Sequence, residues 1–183
     1  MSARIKPLEK PYSPDVEEIL EGMMPPGIPP IALFRTLAVS PRILEKIKKG
    51  NLLDKGSISL REREIVIDRT TALCGSEYEW GVHISFFAQK AQLSKEQIKS
   101  LTHGQASDAI WTESERSIIR LVDALHEKNK VSDELWVELK KYFSDGQVIE
   151  LVTLTGFYHT ISFITNTVRI ENEPGTPKFS DFA

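Results

Sequence analysis

Two neighbouring stretches, Ser59-Leu60-Arg61-Glu62-Arg63-Glu64-Ile65-Val66 and Gly75-Ser76-Glu77-Tyr78-Glu79-Trp80-Gly81-Val82-His83, decide the fold class. Each opens on a capping box, a Ser or Thr followed three residues later by Glu or Gln, in which each side chain satisfies the other residue's orphan backbone N–H. The same grammar recurs at Ser94-Lys95-Glu96-Gln97 and Thr112-Glu113-Ser114-Glu115. Further helix starts stand at Ser13-Pro14, Ser40-Pro41, Ser132-Asp133-Glu134 and Asp145-Gly146-Gln147, with Pro or an acidic residue in the first turn. So many helix starts predict an all-α domain.

Apolar spacing agrees with those starts. Residues 60–73 read as an amphipathic helix, and 76–91 as a helix apolar over much of its surface and therefore central. Residues 114–127, 133–143 and 146–169 continue the series. The segments beginning at Ser59 and Thr112 align with one another, which fits either a duplicated helical hairpin or one capping pattern used twice. Met23-Met24-Pro25-Pro26-Gly27-Ile28-Pro29-Pro30 carries four prolines and breaks any helix. Residues 1–30 thus form an arm, either packed on a neighbouring subunit or solvated. Residues 31–171 form the domain and 172–183 a tail.

The chain has 183 residues, 40% hydrophobic and 27% charged, which fits a globular domain with a buried core. A net charge of −3 argues against nucleic acid as the main partner. The N-terminus is basic but lacks the apolar run of a signal peptide, and no stretch reads as ~20 consecutive apolar residues, so a cytoplasmic protein without a membrane partner is expected. A single cysteine, Cys74, excludes an intrachain disulfide, a Cys-x-x-Cys redox pair and a thiolate cluster within one chain.

Ser76, Glu79 and His83 stand at i, i+3 and i+7, on one face of a helix crowded with Tyr78, Trp80, Phe86 and Phe87. A polar strip among aromatics suits proton transfer, because histidine titrates near neutrality and desolvation shifts carboxylate pKa values upward. Glu64 reaches the same place if the two helices pack antiparallel across Cys74-Gly75. The same residues also have a purely structural explanation: Ser76 and Glu79 as a capping box, Glu79 and His83 as an ordinary helical pair. Cys74 reads as a small buried hydrophobe or, lying just ahead of a helix, as a thiol of lowered pKa. His126 falls in a charged, solvated segment, and His159 on an apolar helix. No local spacing of metal ligands and no glycine-rich phosphate loop occurs, so neither metal nor cofactor is expected.

Leu60 to Val66, Gly75 to His83 and the helix start Leu93-Ser94-Lys95-Glu96-Gln97-Ile98 together resemble the carboxymuconolactone decarboxylase and alkylhydroperoxidase D-like superfamily. The resemblance implies a helical bundle assembled into homo-oligomers, from dimers to hexamers. The peroxidase branch uses a glutamate, a Cys-x-x-Cys pair and a histidine four residues after the second cysteine. Glu64 and His83 match the glutamate and histidine, whereas Ser76 and Glu79 occupy the cysteine positions. Serine and glutamate cannot exchange disulfides. The resemblance therefore implies a cofactor-independent lyase acting on a small anionic substrate, with His83 as proton donor, Glu64 orienting it and Glu79 as a second acid. Ser76, Tyr78 and Trp80 would line the substrate site and Arg69 would serve as counter-ion. The alternatives are an alkylhydroperoxidase-like antioxidant using Cys74 and a non-catalytic oligomeric binding module.

Overall fold

The computed structural model describes residues 2–183. In chain order its helices are α1 (Pro14–Leu20), α2 (Ala32–Leu37), α3 (Pro41–Gly50), α4 (Leu60–Leu73), α5 (Glu77–Phe87), α6 (Lys95–His103), α7 (Glu113–Lys128), α8 (Asp133–Leu139) and α9 (Asp145–Val168), followed by a 3-10 turn at Phe179–Phe182. Among the described residues there is no strand. The capping boxes of α4, α6 and α7 form as the sequence predicts, and a fourth joins Ser144 to Gln147 at the start of α9. The expected box at Ser76 does not. Ser76 has ψ 73°, whereas the boxed serines and threonine lie between 159° and 167°, and its hydroxyl instead meets Thr165 Oγ1 on α9 at 2.7 Å. Glu79 is thereby released from a capping role.

The hub of the bundle is α4 rather than α5. It packs against α5, α6, α7 and α9, and even its polar residues Arg63, Glu64, Asp68, Arg69, Thr70 and Thr71 are buried. Helices α4 and α7 run parallel in register: Arg61 pairs with Glu115 and, two turns on, Arg69 with Asp123, a separation of 54 residues in both cases. The two capped segments that resemble one another in sequence therefore lie side by side, tied by an ion pair near their N-termini.

Helix α5 divides the apolar interior in two. Trp80 and Ile84 face a large cluster built from α4, α6, α7, α8 and α9. Tyr78 and Val82 face a smaller one containing Val16, Leu20, Leu33, Leu37, Leu44 and Ile161. The second cluster exists because the N-terminal arm folds onto its own chain. Val16 and Leu20 of α1 are buried against α3, and the arm's backbone bonds to Val168 and Arg35. The C-terminal residues cover the opposite side of α5. Phe179 and Phe182 pack on the Trp80 indole at 5.0 and 5.6 Å, and a side chain at Gly81 would come within 2.7 Å of the Pro177 carbonyl oxygen.

Two helices are shorter than their periodicity suggests. Past Phe87 the chain turns, with Gln92 at φ 55°, and α8 stops at Leu139. Helix α9, in contrast, is by length and composition apolar enough to cross a membrane, at a mean hydropathy of 1.3. In this fold it instead buries Leu151, Leu154, Tyr158 and Ile161 within the bundle.

Candidate active site

The short turn at Cys74-Gly75, with Gly75 at φ 64°, reverses the chain so that α5 runs back along α4. This brings Glu64 and His83, 19 residues apart, into contact: His83 Nδ1 lies 2.8 Å from Glu64 Oε2. The other Glu64 oxygen accepts from Arg63 Nε at 2.8 Å, and Arg63 also donates to the Leu53 carbonyl and lies over the Phe87 ring. On the far side of the imidazole, Nε2 stands 3.0 Å from the Tyr158 hydroxyl and 3.6 Å from Glu79 Oε1. Edge-on Tyr158 and tilted Phe87 fix the ring plane. Glu64, Glu79, His83 and Tyr158 are all buried.

Burial by itself would lower the pKa of His83. The Glu64 charge and hydrogen bond, aided by Glu79, outweigh it and raise the imidazole to about 10. At neutral pH His83 is therefore an imidazolium, with Nδ1–H donating to Glu64 and Nε2–H directed at Tyr158 and Glu79. Burial and the charges of Glu79 and Glu64 push the Tyr158 phenol well above its usual range, against Arg63, so it stays protonated. One helical turn beyond Glu64, Asp68 is buried with neither carboxyl oxygen hydrogen-bonded. Burial first, then the Glu64 charge, favours its neutral acid form, with His83 acting the other way.

A cavity of about 140 Å³ lies beside this group. Glu79, His83 and Tyr158 form its polar floor, Val82, Phe86, Phe87, Phe157 and Ile161 its walls, and Met23, Met24 and Pro25 of the arm part of its cover. Glu79 Oε2 is buried here without a hydrogen-bond partner. Such an acceptor is costly to leave unpaired, and the floor is therefore built to receive a donor. Lys90, with its ammonium 5.6 Å from the Phe87 ring centre, contributes a cation to the lining.

The remaining residues singled out from the sequence stand elsewhere. Arg69 forks onto Asp123 and donates to the carbonyls of Leu101 and Gly104, so it is a structural clamp and no counter-ion for this cavity. Ser76 faces α9. The Tyr78 hydroxyl takes the Leu33 amide and donates to Glu173, and Trp80 faces the C-terminal aromatics. These three do not line the cavity, which α5 meets with Glu79, Val82, His83, Phe86 and Phe87. Tyr158 and Arg63 were not legible from spacing. Tyr158 shares the buried row of α9 with Leu151, Leu154 and Ile161, which marked it as core and gave no sign of a polar partner.

The carboxymuconolactone decarboxylase family model matches residues 40–124, the segment that contains Glu64, Glu79 and His83. The fold also matches solved structures over nearly their whole length. A cysteine-to-alanine variant of the debrominase Bmp8 in complex with 2,3,4-tribromopyrrole is similar at a TM-score of 0.75 and 16% identity, over 95% of this chain and 94% of that one. An uncharacterized peroxidase-related protein from Silicibacter sp. TM1040 gives 0.76 and 14%, over 96% of both chains. An alkylhydroperoxidase AhpD core protein from Ralstonia eutropha JMP134 gives 0.75 and 18%, over 94% of this chain and 95% of that one. Residues 40–124 thus carry the pattern of the carboxymuconolactone decarboxylase family, and the fold as a whole is similar to that of AhpD-like proteins of this superfamily. No curated protein matches the chain in sequence.

Among the features of that superfamily, the glutamate–histidine pair is present and assembled, while the thiol positions are Ser76, turned away, and Glu79, turned into the cavity. Cys74 lies outside the cavity lining, half-buried and close to His126. Its position ahead of α5 does not produce a low pKa: burial pushes the thiol up, against a hydrogen bond from Ser162.

Proposed function

We propose that this protein is a cofactor-independent acid–base enzyme of the carboxy-lyase type. The reading rests on one observation: an unpartnered carboxylate oxygen of Glu79 and the imidazolium Nε2 of His83 share the floor of one apolar cavity. The cavity is smaller than the ~300–1,000 Å³ that drug-sized ligands occupy, so the substrate is a small, mainly apolar molecule. Arg63, His83 and Lys90 together exceed the charges of Glu64 and Glu79 by one, which suits a monoanion.

In the reaction the substrate carboxylate departs as CO2, and the electrons of the broken C–C bond pass into an adjacent carbonyl as an enolate. The Nε2 proton of His83 then closes on carbon, Glu64 holding the imidazole in orientation, and one proton from solvent, relayed by Glu79, restores the imidazolium. Charge and atoms balance as one carboxylate plus one proton giving one neutral product and CO2. A thiol peroxidase would need a thiol at this cavity, and Cys74 is not there. CO2 release from a panel of 3-oxo and lactone carboxylates tests the proposal. Loss of turnover in His83→Gln is expected, whereas an unchanged kcat/KM would overturn it. Specific binding at the cavity with no turnover of any panel member would favour a binding module on the same fold.

The bundle also supports self-association. Ile149, Val152 and Phe163 form one exposed apolar stripe along α9, at 67%, 40% and 63% exposure. Light scattering on Phe163→Glu should show a smaller assembly than the natural chain. A single unpaired cysteine suits the reducing cytoplasm.

A further inference from the structure

At the opposite end of α4 the fold gathers a second group that local spacing does not reveal. Cys74 at the end of α4, His126 in the last turn of α7 and His159 in the middle of α9 offer one ligand atom each, all within 4.8 Å of one another. His126 Nδ1 lies 3.0 Å from His159 Nε2 and 3.9 Å from Cys74 Sγ. Tetrahedral ligation with metal–nitrogen bonds of about 2.0–2.1 Å and a metal–sulfur bond of about 2.3 Å would separate two nitrogens by about 3.3 Å and a sulfur from a nitrogen by about 3.5 Å. The two separations from His126 lie within about half an ångström of those values, and the third pair of ligand atoms lies within 4.8 Å.

The surroundings suit ligation. His159 Nδ1 lies 2.9 Å from the Thr155 carbonyl oxygen. Its proton is therefore committed there, and the Nε2 lone pair is directed at the group, the orientation that outer hydrogen bonds impose on metal-binding histidines. Asn166 donates to the Cys74 carbonyl at 2.8 Å and holds that end of the turn. The Ser162 hydroxyl, buried with no other partner, lies by the Cys74 sulfur, where it would donate to a thiolate. All three ligands are half-buried, which leaves a solvent-facing fourth position.

We infer that Cys74, His126 and His159 form a binding site for one late first-row divalent cation of the zinc type, with water as fourth ligand. A thiolate with two imidazoles selects such ions over magnesium or calcium, which prefer oxygen. Binding releases the thiol proton and moves the His126 proton from Nδ1 to Nε2, so one proton leaves per cation. The bound ion would clip the ends of α4 and α7 to α9.

The test is titration of the metal-stripped full-length protein with Co2+ and then Zn2+. One equivalent of Co2+ should produce thiolate-to-cobalt charge-transfer absorption, displaced stoichiometrically by Zn2+, with one proton released per ion and a raised Tm. Cys74→Ser should abolish the charge-transfer band, and His159→Gln should weaken Zn2+ binding at least 100-fold, both with unchanged circular dichroism. Binding without the thiolate band, or affinities equal in the natural chain and both variants, would overturn the assignment. A variant that fails to fold is replaced by Cys74→Ala or His126→Gln, read in the same titration.

Discussion

Helix α4 carries a histidine site near each end, and the two differ in what surrounds the imidazole. Near its N-terminal half, His83 sits between Glu64 and Glu79 and is raised to about 10. At its C-terminal end, burial and the neighbouring His159 lower His126, against Asp123 and Glu127. A carboxylate neighbour keeps an imidazole charged and ready to give a proton. Burial and a second imidazole as neighbour keep it neutral, with a lone pair to share. On the two proposals, one scaffold holds a proton-transfer group and a ligand set about the same helix, and the distinction lies in the partner side chains.

The largest expected effect is on activity at the His83 end. His83→Gln should lower kcat/KM by about 10²–10⁴, the usual contribution of a positioned general acid, while His103→Gln, which removes only a contact with the Phe179 carbonyl, should leave it unchanged. Equal losses in both would end the assignment of His83. Next in size is stability. Glu64→Ala removes the buried carboxylate that Arg63 and His83 share and should cost about 3–5 kcal/mol in urea unfolding. Cys74→Ala, at the half-buried end, should stay within about 1 kcal/mol in the absence of metal.

The two ends should also respond to pH in opposite senses. The native pKa of His83 is above the value of about 6.5 for an unfolded histidine, so its contribution is complete below pH ~6.5 and is lost as pH rises through about 10. The native pKa of His126 is lowered, so its neutral form contributes above pH ~6.5 and that contribution is lost as pH falls. Imidazole NMR titrations should show His83 still charged at pH 8 and His126 already neutral. Titration of both near 6.5 would remove the contrast. A small effect belongs to Tyr158→Phe, which deletes one hydrogen bond to His83 Nε2 and should cost about 1 kcal/mol.

Helix existence was legible because capping and periodicity are local: Ser59, Ser94 and Thr112 have their partners three residues away. Ser76 shows the limit of that reading. Its spacing to Glu79 was equally good, yet Thr165, 89 residues on, competed for the hydroxyl and left Glu79 free to face a cavity. The weak alignment of the segments at Ser59 and Thr112 became meaningful only once Arg61 and Glu115 showed them packed in parallel.

By itself the sequence determined the all-α class and the absence of a two-thiol pair, because these depend on residue types and short spacings, and it brought Glu64 to His83 only on the condition that the two helices pack antiparallel. Only the tertiary structure decided that Tyr158 completes the His83 group, that Arg69 is spent on Asp123, and that Cys74 meets His126 and His159. Each of those contacts joins residues 50 or more positions apart, and a long-range contact is set by how helices dock, which no local pattern encodes.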